Sequence, residues 1–284
     1  MRNHQRLHPV RRHVLVGLVA IATAVTAVAC GDDADDADAP SGDARPTVTF
    51  ELTDQSVGAP EHLPGGLVDV TLDATGGTTR THHLALFRLE DGVTAEQAMS
   101  ADDATFPTLV TYQGGNSQIN PGEIAHFTFD LDAGDYVIAD FDENGQVLSA
   151  TTVVDEPVGS PAEPESKGTI VLGPGMLVTL PDGFDGAGVW KVENHDTEQA
   201  HEAGLGAMAP GKTVADLVAW ANSFDGPPPA EILGGFGALG PGRHGWVDLG
   251  AARTPGDYVV FCAIPGPDGV PHLAMGMATG FTVG

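Results

Sequence analysis

Gly134-Asp-Tyr-Val-Ile-Ala-Asp140 and Gly256-Asp-Tyr-Val-Val-Phe-Cys262 are two copies of one short motif. A longer match lies upstream of them, where residues 81–94 align without gaps on residues 200–213. A Pro-Gly pair precedes the motif in both halves of the chain. Self-similarity of this kind is the signature of a duplicated structural unit. The chain is therefore predicted to carry the same fold twice.

Apolar and polar residues alternate with a period of two at several places in each half. Val48, Phe50 and Leu52 alternate with polar residues in the first half, and Trp190 and Val192 do so in the second. This alternation predicts strands that bury one face. The 38 glycines and 21 prolines favour many short strands joined by turns.

One short helix is predicted in each copy. The predicted helices cover residues 94–100 and 213–223, and Thr213 is placed to act as the N-cap of the second. A unit of roughly 110 residues with mainly short strands is typical of a β-sandwich. We therefore predict an all-β fold of two tandem β-sandwich domains, each with one short helix.

A segment rich in proline, serine and acidic residues separates the two copies. Its composition is typical of an extended linker, and we place it at residues 156–167. The first domain is then predicted at residues 46–155 and the second at residues 168–284.

The start of the chain has the pattern of an export signal. Four arginines precede an uncharged apolar stretch at residues 14–29, which is too short for a convincing membrane-spanning helix. Small residues precede Cys30, which resembles a bacterial lipoprotein signal in which the cysteine becomes the lipidated N-terminus. We predict a signal peptide at residues 1–29 and a flexible acidic tether at residues 30–45. A plain signal peptide with an incidental cysteine is the alternative, and the sequence leaves the export route open.

The chain is strongly acidic, with a formal net charge of −27. A surface this negative repels phosphate backbones, so we exclude nucleic acid as a partner. If Cys30 is lipidated, Cys262 is the one remaining cysteine, and the fold then has no disulfide although an exported protein permits one. Hydrophobic burial must in that case stabilise the fold.

A soft set of metal-ligating side chains lies near the C-terminal end. Cys262, His272 and Met277 follow one another within a short stretch, and His201 lies upstream. One thiolate, two imidazoles and one thioether match the ligand set of a type 1 copper centre. Met275 is a rival for the thioether position. Each residue also has a structural explanation, since cysteine and methionine are common in cores and histidines bond neighbouring loops.

The second copy resembles the cupredoxin family of blue copper proteins in the order of these residues. Members of the family carry a His after an Asn-containing strand end, and then Gly-x-Tyr-x-x-x-Cys, a Pro-Gly turn, a second His and a Met. The matching positions in this chain are Asn194, His201, Gly256, Tyr258, Cys262, Pro265, Gly266, His272 and Met277. The first copy matches the family only in architecture.

The resemblance implies a Greek-key β-sandwich for each copy and copper as the cofactor of the second. It implies three in-plane ligands, namely His201, Cys262 and His272. It implies Met277 as the weak axial ligand. These four residues are the candidate metal site of the chain.

The second copy departs from the family pattern in one place. Nine residues separate Cys262 from His272, which is more than is usual in the family, and residues 267–271 resemble an insertion. The insertion is rich in turn-forming residues, so it can loop out and leave both ends in place. Loss of the metal with retention of the fold is the alternative.

The first copy keeps His82 but has Asp140 in place of the cysteine. Without a thiolate it cannot form a blue copper centre, so we interpret this copy as structural or as a docking unit for a partner. A different hypothesis is a small hydrolytic metal site made of His82, His83, His126 and Asp140.

These features together predict a lipid-anchored exported protein that binds copper and either transfers single electrons or carries the metal. We expect a carrier and not an enzyme. Cys30 would hold it to the outer face of the cell membrane or in the periplasm, with a redox protein or another envelope protein as its partner. The alternative is a metal-free tandem β-sandwich lipoprotein that acts as a binding module at the cell envelope.

Overall fold

The computed structural model describes residues 44–102, 104–142 and 144–284. The predicted signal peptide, the predicted lipidation site Cys30 and nearly all of the predicted tether lie outside the described residues. Within the described part of the chain, no helix is long and apolar enough to cross a membrane.

Short strands and two short α-helices make up the described fold. The first half contains β1 Thr47–Leu52, β2 Val57–Gly58, β3 His62–Leu63, β4 Gly66–Asp73, β5 His83–Leu89, α1 Ala95–Ser100, a 3₁₀ turn at Phe106–Thr108, β6 Val110–Gly115, β7 Ile124–Leu131, β8 Gly134–Phe141 and β9 Val147–Val154. The second half contains β10 Thr169–Gly173, β11 Leu177–Thr179, β12 Val189–Asn194, β13 His201–Met208, α2 Val214–Ala221, β14 Ala230–Leu239, β15 His244–Asp248, β16 Gly256–Phe261 and β17 Ala278–Val283. The prediction of an all-β fold with one short α-helix in each copy is confirmed.

Two sheets form the fold, and each contains strands from both copies. The strand order is β11-β10-β12-β15-β7-β4-β1-β2 in the first sheet and β17-β16-β13-β14-β6-β5-β8-β9-β3 in the second. Antiparallel pairing of β15 with β7 and of β14 with β6 joins the two halves. Because both sheets run through the two copies, the described chain forms one continuous sandwich. The domain limits that we placed at residues 155 and 168 stay a prediction.

The main hydrophobic core receives apolar side chains from both sheets. Phe50 and Val192 come from the first sheet, and Leu86 and Val260 come from the second. Phe50, Trp190 and Val192 are buried, as their alternation with polar residues predicted. Burial of these large side chains is the main stabilising contribution in a fold whose described part forms no disulfide.

The two copies repeat the same local hydrogen bonds and helix caps. Tyr136 and Tyr258 each donate the hydroxyl hydrogen to the backbone carbonyl four residues earlier, at 2.7 and 2.9 Å. Thr94 caps α1 and Thr213 caps α2, each within a capping box, so the predicted N-cap at Thr213 is confirmed. The second helix ends at Ala221, slightly before its predicted end.

Paired glycines let neighbouring strands approach each other at equivalent points of the two copies. A Cβ atom on Gly115 of β6 would lie 1.9 Å from the carbonyl oxygen of Leu84 in β5. A Cβ atom on Gly235 of β14 would lie 2.2 Å from the carbonyl oxygen of Ala203 in β13. Any larger residue would push these strands apart, so the close pairing requires glycine at both positions.

We predict that Gly115→Ala lowers the free energy of unfolding by about 3 kcal/mol, because the added methyl overlaps the carbonyl of Leu84 and the packed core resists the shift. Urea unfolding followed by circular dichroism measures this change. Gly173→Ala is the control, since a Cβ atom there meets nothing within 4 Å. Equal effects of the two substitutions would show that the strand approach at Gly115 is not a constraint.

Candidate metal centre

Two neighbouring strands of the second sheet place the first pair of candidate ligands side by side. His201 is the first residue of β13, and Cys262 directly follows the last residue of β16. These strands are antiparallel, with Gly204 opposite Phe261, so the start of one lies beside the end of the other. Sequence-distant residues are thereby brought to the same end of the sandwich.

The long segment between Cys262 and His272 closes on itself. Pro265 and Pro271 form an antiparallel bridge, and the His272 N–H donates to the carbonyl of Ile264 at 2.9 Å. The residues that resemble an insertion therefore loop out, as we predicted they can. The backbone of His272 is thus bonded to a residue only two positions after Cys262, although nine residues separate the two candidate ligands.

Three donor atoms converge in the interior. The Nδ1 atoms of His201 and His272 are 3.0 Å apart, and the Cys262 Sγ lies 3.4 Å from the His272 Nδ1 and 3.9 Å from the His201 Nδ1. His201 and Cys262 are fully buried, and His272 is 1% exposed. Within the described part of the chain, this is the one group of at least three Cys, His or acidic side chains arranged to hold a metal ion.

These separations fit a single metal ion shared by all three side chains. Metal bonds are about 2.0 Å to imidazole nitrogen and about 2.3 Å to thiolate sulfur, so ligand atoms around one ion lie roughly 3–4 Å apart. A thiolate with two imidazoles is the in-plane donor set of type 1 copper. The buried cluster of His201, Cys262 and His272 therefore supports type 1 copper as the cofactor.

The outward-facing ring nitrogens have their own partners. The Nε2 of His201 lies 3.2 Å from the Asp196 Oδ2, and the Nε2 of His272 lies 3.0 Å from the Gln199 Oε1. With both Nε2 atoms engaged by oxygens, both Nδ1 atoms are the ones directed toward Cys262. Hydrogen bonds of this kind orient imidazoles that bind metals.

Burial makes the neutral forms of the ligands stable in the absence of a cation. It raises the pKa of the Cys262 thiol well above its usual range, and the nearby Glu202 adds to this effect. Burial and the neighbouring His201 lower the pKa of His272 to about 4. Burial also lowers the pKa of His201, against the opposing effect of Asp196. A metal ion that binds here must displace the thiol proton, so binding releases a proton.

Glu202 links the two strands that carry the first ligands. Its backbone N–H points at the Cys262 Sγ at 3.4 Å, and its carboxylate accepts a hydrogen bond from the Ala263 N–H at 2.7 Å. Burial raises the pKa of Glu202 to about 7, partly opposed by that hydrogen bond. The residue therefore orders the backbone on both sides of the thiol.

The two methionines differ in burial. Met277 is fully buried and belongs to the same hydrophobic core as Cys262, whereas Met275 is 41% exposed. The Cys262 N–H donates to the Met277 carbonyl at 3.1 Å, and the Met277 N–H donates to the His272 carbonyl at 3.0 Å. This placement favours Met277 over Met275 as the axial ligand, and the assignment stays a prediction.

In the first copy, an ion pair occupies the equivalent position. Asp140 and His82 are fully buried, and the His82 Nδ1 lies 2.8 Å from the Asp140 Oδ2. The Arg80 guanidinium donates to the Asp140 Oδ2 from Nε at 3.0 Å and to the Asp140 carbonyl at 2.8 Å. A carboxylate bonded by a guanidinium thus stands where the second copy has the thiol.

The hydrolytic site that we considered in the first copy is not assembled. The His126 side chain bonds Thr71, its neighbour in the first sheet. His83 lies in the second sheet, and its ring bonds the backbone carbonyl of Ser117. The four side chains of that hypothesis are therefore not grouped around one point.

Three residues that surround the candidate ligands were not predicted from the sequence: Asp196, Gln199 and Glu202. All three stand within or beside the segment that carries His201. Acidic residues number 39 in the chain, so nothing in composition or spacing marks these out from the rest. Only their distance to the ligands identifies them.

Comparisons with known proteins find structural likeness alone. No family signature and no curated protein matches the chain. A dithionite-reduced auracyanin from Roseiflexus castenholzii is 25% identical, with 41% of this chain and 95% of that chain covered and a TM-score of 0.26. Auracyanin A, a "blue" copper protein from Chloroflexus aurantiacus, is 16% identical, with coverages of 38% and 99% and a TM-score of 0.26. A multicopper oxidase is 13% identical, with coverages of 79% and 85% and a TM-score of 0.26. Scores this low carry no argument about function.

Proposed function

We propose that this chain is an exported copper protein in which His201, Cys262 and His272 hold one type 1 copper ion for single-electron transfer. The observation that carries the proposal is the convergence of three buried donor atoms at separations of 3.0, 3.4 and 3.9 Å. His201 and the segment of Cys262 and His272 are distant in sequence and meet at this point, which a purely structural role for each residue does not require.

The donor set favours copper over other metals. A single thiolate with two imidazoles and a weak thioether is the arrangement of blue copper sites, whereas structural zinc sites use four strong ligands. Copper bound by such a set supplies a one-electron couple between its two oxidation states. Met277 is the proposed thioether donor, because it is the buried methionine of the pair.

Rigidity of the ligands supports electron transfer over metal carriage. The rings of His201 and His272 are held by oxygen partners on their outer nitrogens, and the backbone N–H of Glu202 faces the Cys262 sulfur. Ligands that are fixed before the ion arrives need little rearrangement when its charge changes. A carrier of copper must instead release the ion, and the measured reduction potential and release rate distinguish the two roles.

The burial of the cluster also supports an electron carrier over an enzyme. Catalytic metal sites keep one position open to substrate. Here the three donor residues are at most 1% exposed, so bulk solvent has little access to the cluster. Electron transfer needs no such opening.

We further propose that a lipid on Cys30 anchors the protein at the outer face of the cell membrane or in the periplasm. The basic start, the apolar stretch and the small residues before Cys30 support this placement. The acidic segment that follows would hold the folded part away from the membrane surface. A redox or envelope protein is the proposed partner.

We predict that the full chain develops an intense blue thiolate-to-copper absorption band that saturates at one equivalent of Cu(II). Cys262→Ser is expected to abolish the band while the β-sheet circular dichroism spectrum stays unchanged, because the sulfur donor is lost and the core is not. Cys30→Ser is the matched control and keeps the band. An unchanged band in Cys262→Ser would contradict Cys262 as the thiolate ligand, and no band in the wild type would favour the metal-free binding module.

We predict that Met277→Leu keeps the blue band but raises the reduction potential, because the axial ligand tunes the potential and removal of a donor that stabilises Cu(II) favours Cu(I). Protein-film voltammetry of the copper-loaded chain measures the shift. Met275→Leu is the control and leaves the potential unchanged, since that side chain is 41% exposed. A larger shift in Met275→Leu would transfer the axial role to Met275.

We predict that Cys30→Ser moves the protein from the membrane fraction to the soluble fraction of the producing bacterium, because the acyl anchor needs the cysteine sulfur. Cell fractionation followed by immunoblotting measures the distribution. Retention of Cys30→Ser in the membrane fraction would contradict lipid anchoring at this residue.

A further inference from the structure

The equivalent histidines of the two copies face a carboxylate through opposite ring nitrogens. In the second copy, the outer nitrogen Nε2 of His201 faces the Asp196 carboxylate at 3.2 Å. In the first copy, the inner nitrogen Nδ1 of His82 faces the Asp140 carboxylate at 2.8 Å, and its Nε2 is buried without a hydrogen-bond partner. The carboxylate therefore faces Nε2 of the imidazole in the second copy and Nδ1 in the first.

A carboxylate next to a neutral imidazole determines which nitrogen carries the hydrogen. An ionised carboxylate only accepts hydrogen bonds, so the facing ring nitrogen must donate. One Asp196 oxygen accepts the backbone N–H groups of Glu198 and Gln199, so the other oxygen faces the His201 ring as an acceptor. His201 accordingly carries its hydrogen on Nε2 and directs the Nδ1 lone pair inward. His82 carries its hydrogen on Nδ1 and directs no lone pair toward Asp140.

The position of Asp196 in the second copy is occupied by a residue without a side chain in the first. Asp196 stands five residues before His201, and Gly77 stands five residues before His82. A Cβ atom on Gly77 would lie 3.4 Å from the His82 Nε2, so a side chain there would reach the unpartnered nitrogen. The first copy thus has the same imidazole and the same approach to it, without the acceptor.

We infer that Asp196 is a positioning residue that prepares His201 of the second copy to bind the metal. By holding His201 in the Nε2–H tautomer, its carboxylate keeps the Nδ1 lone pair directed at Cys262 and His272. The first copy has Gly77 at the position of this carboxylate and carries Asp140 at the position of Cys262, which fixes the opposite tautomer. The inference rests on the proposed copper site and adds a residue that fixes the tautomer of one ligand.

The loop around Asp196 is built to keep this carboxylate in place. One carboxylate oxygen accepts the backbone N–H groups of Glu198 at 2.8 Å and Gln199 at 3.2 Å, which leaves the other oxygen for His201. Asn194 also stabilises this loop, since its side chain accepts a hydrogen bond from the Asp196 N–H and donates one to the Gln199 carbonyl. Both oxygens of Asp196 are therefore committed, one to the turn and one to the imidazole.

His272 has a different kind of partner. The Gln199 side chain is an amide, which accepts through oxygen or donates through nitrogen after a half turn. His272 is therefore free to place its hydrogen on Nδ1, toward His201 at 3.0 Å, when no metal is bound, and on Nε2 when one is. Asp196 holds the hydrogen of His201 on Nε2, so His201 is the one of the two histidines whose tautomer is fixed.

Asp196→Asn tests the inference because it keeps the shape and the turn but reverses the hydrogen bond. The amide oxygen is retained by the Glu198 and Gln199 N–H groups, so the amide nitrogen faces His201 as a donor. His201 must then carry its hydrogen on Nδ1, inside the cluster. We expect a loss of affinity for Cu(II) of about 10- to 100-fold, the range seen when a residue that hydrogen-bonds to a metal ligand is removed. Competition titration of the full chain against a copper chelator measures it.

Glu198→Gln is the matched control. It removes the same charge from the same loop, and its exposed side chain lies outside the contacts described above. We expect wild-type affinity in this variant and unchanged urea unfolding midpoints in both. Equal copper affinity of Asp196→Asn and the wild type would overturn the inference, because a merely structural carboxylate tolerates the amide.

A second measurement reads the tautomer without any metal. Nitrogen-15 NMR of the imidazoles in the metal-free full chain is expected to show His201 protonated on Nε2 in the wild type and on Nδ1 in Asp196→Asn. His201 protonated on Nδ1 in the wild type would overturn the inference. A wild type that binds no copper but shows the Nε2–H tautomer would overturn the proposed function, while supporting the role of Asp196 in fixing the ring.

Discussion

Two imidazole nitrogens face each other at 3.0 Å beside a buried thiol, and this contact is the constraint around which the second copy is arranged. Two lone pairs at that distance repel unless a proton or a cation lies between them. Burial removes the water that would otherwise solvate the three side chains, so they must be satisfied from within the fold. Strands β13 and β16 and the closed loop before His272 supply that arrangement.

The duplicated sandwich shows two solutions to the burial of polar side chains at one point of a fold. The first copy pairs Asp140 with the guanidinium of Arg80, at 5% exposure or less for both side chains, and with His82. A buried charge without a partner is strongly destabilising, so the arginine offsets the carboxylate that replaces the thiol. In the second copy, by our proposal, a copper ion supplies the positive charge. The same backbone thus supports an ion pair or a metal centre, depending on a few side chains.

Much of the fold and of the ligand set was predictable, because the signals are local. Alternation marked the buried faces at Phe50 and Val192, and the Thr213 cap marked the start of α2. The order of Cys262 and His272 along the chain pointed to a soft donor set. The continuation of both sheets through the two copies was not predictable, since alternation marks a buried face without naming the neighbouring strand. Asp196 and Arg80 were missed for a related reason, because their roles depend on contacts across space.

By itself, the sequence determined the duplicated all-β architecture and the kinds of atoms available to a metal, since periodicity, capping and residue identity are properties of short segments. Only the tertiary structure decided that the segment before His272 closes at Ile264, and that Asp196, among 39 acidic residues, lies behind His201. The physical reason is that hydrogen bonds act over about 3 Å. Which atoms come that close is set by pairing between strands far apart in the chain.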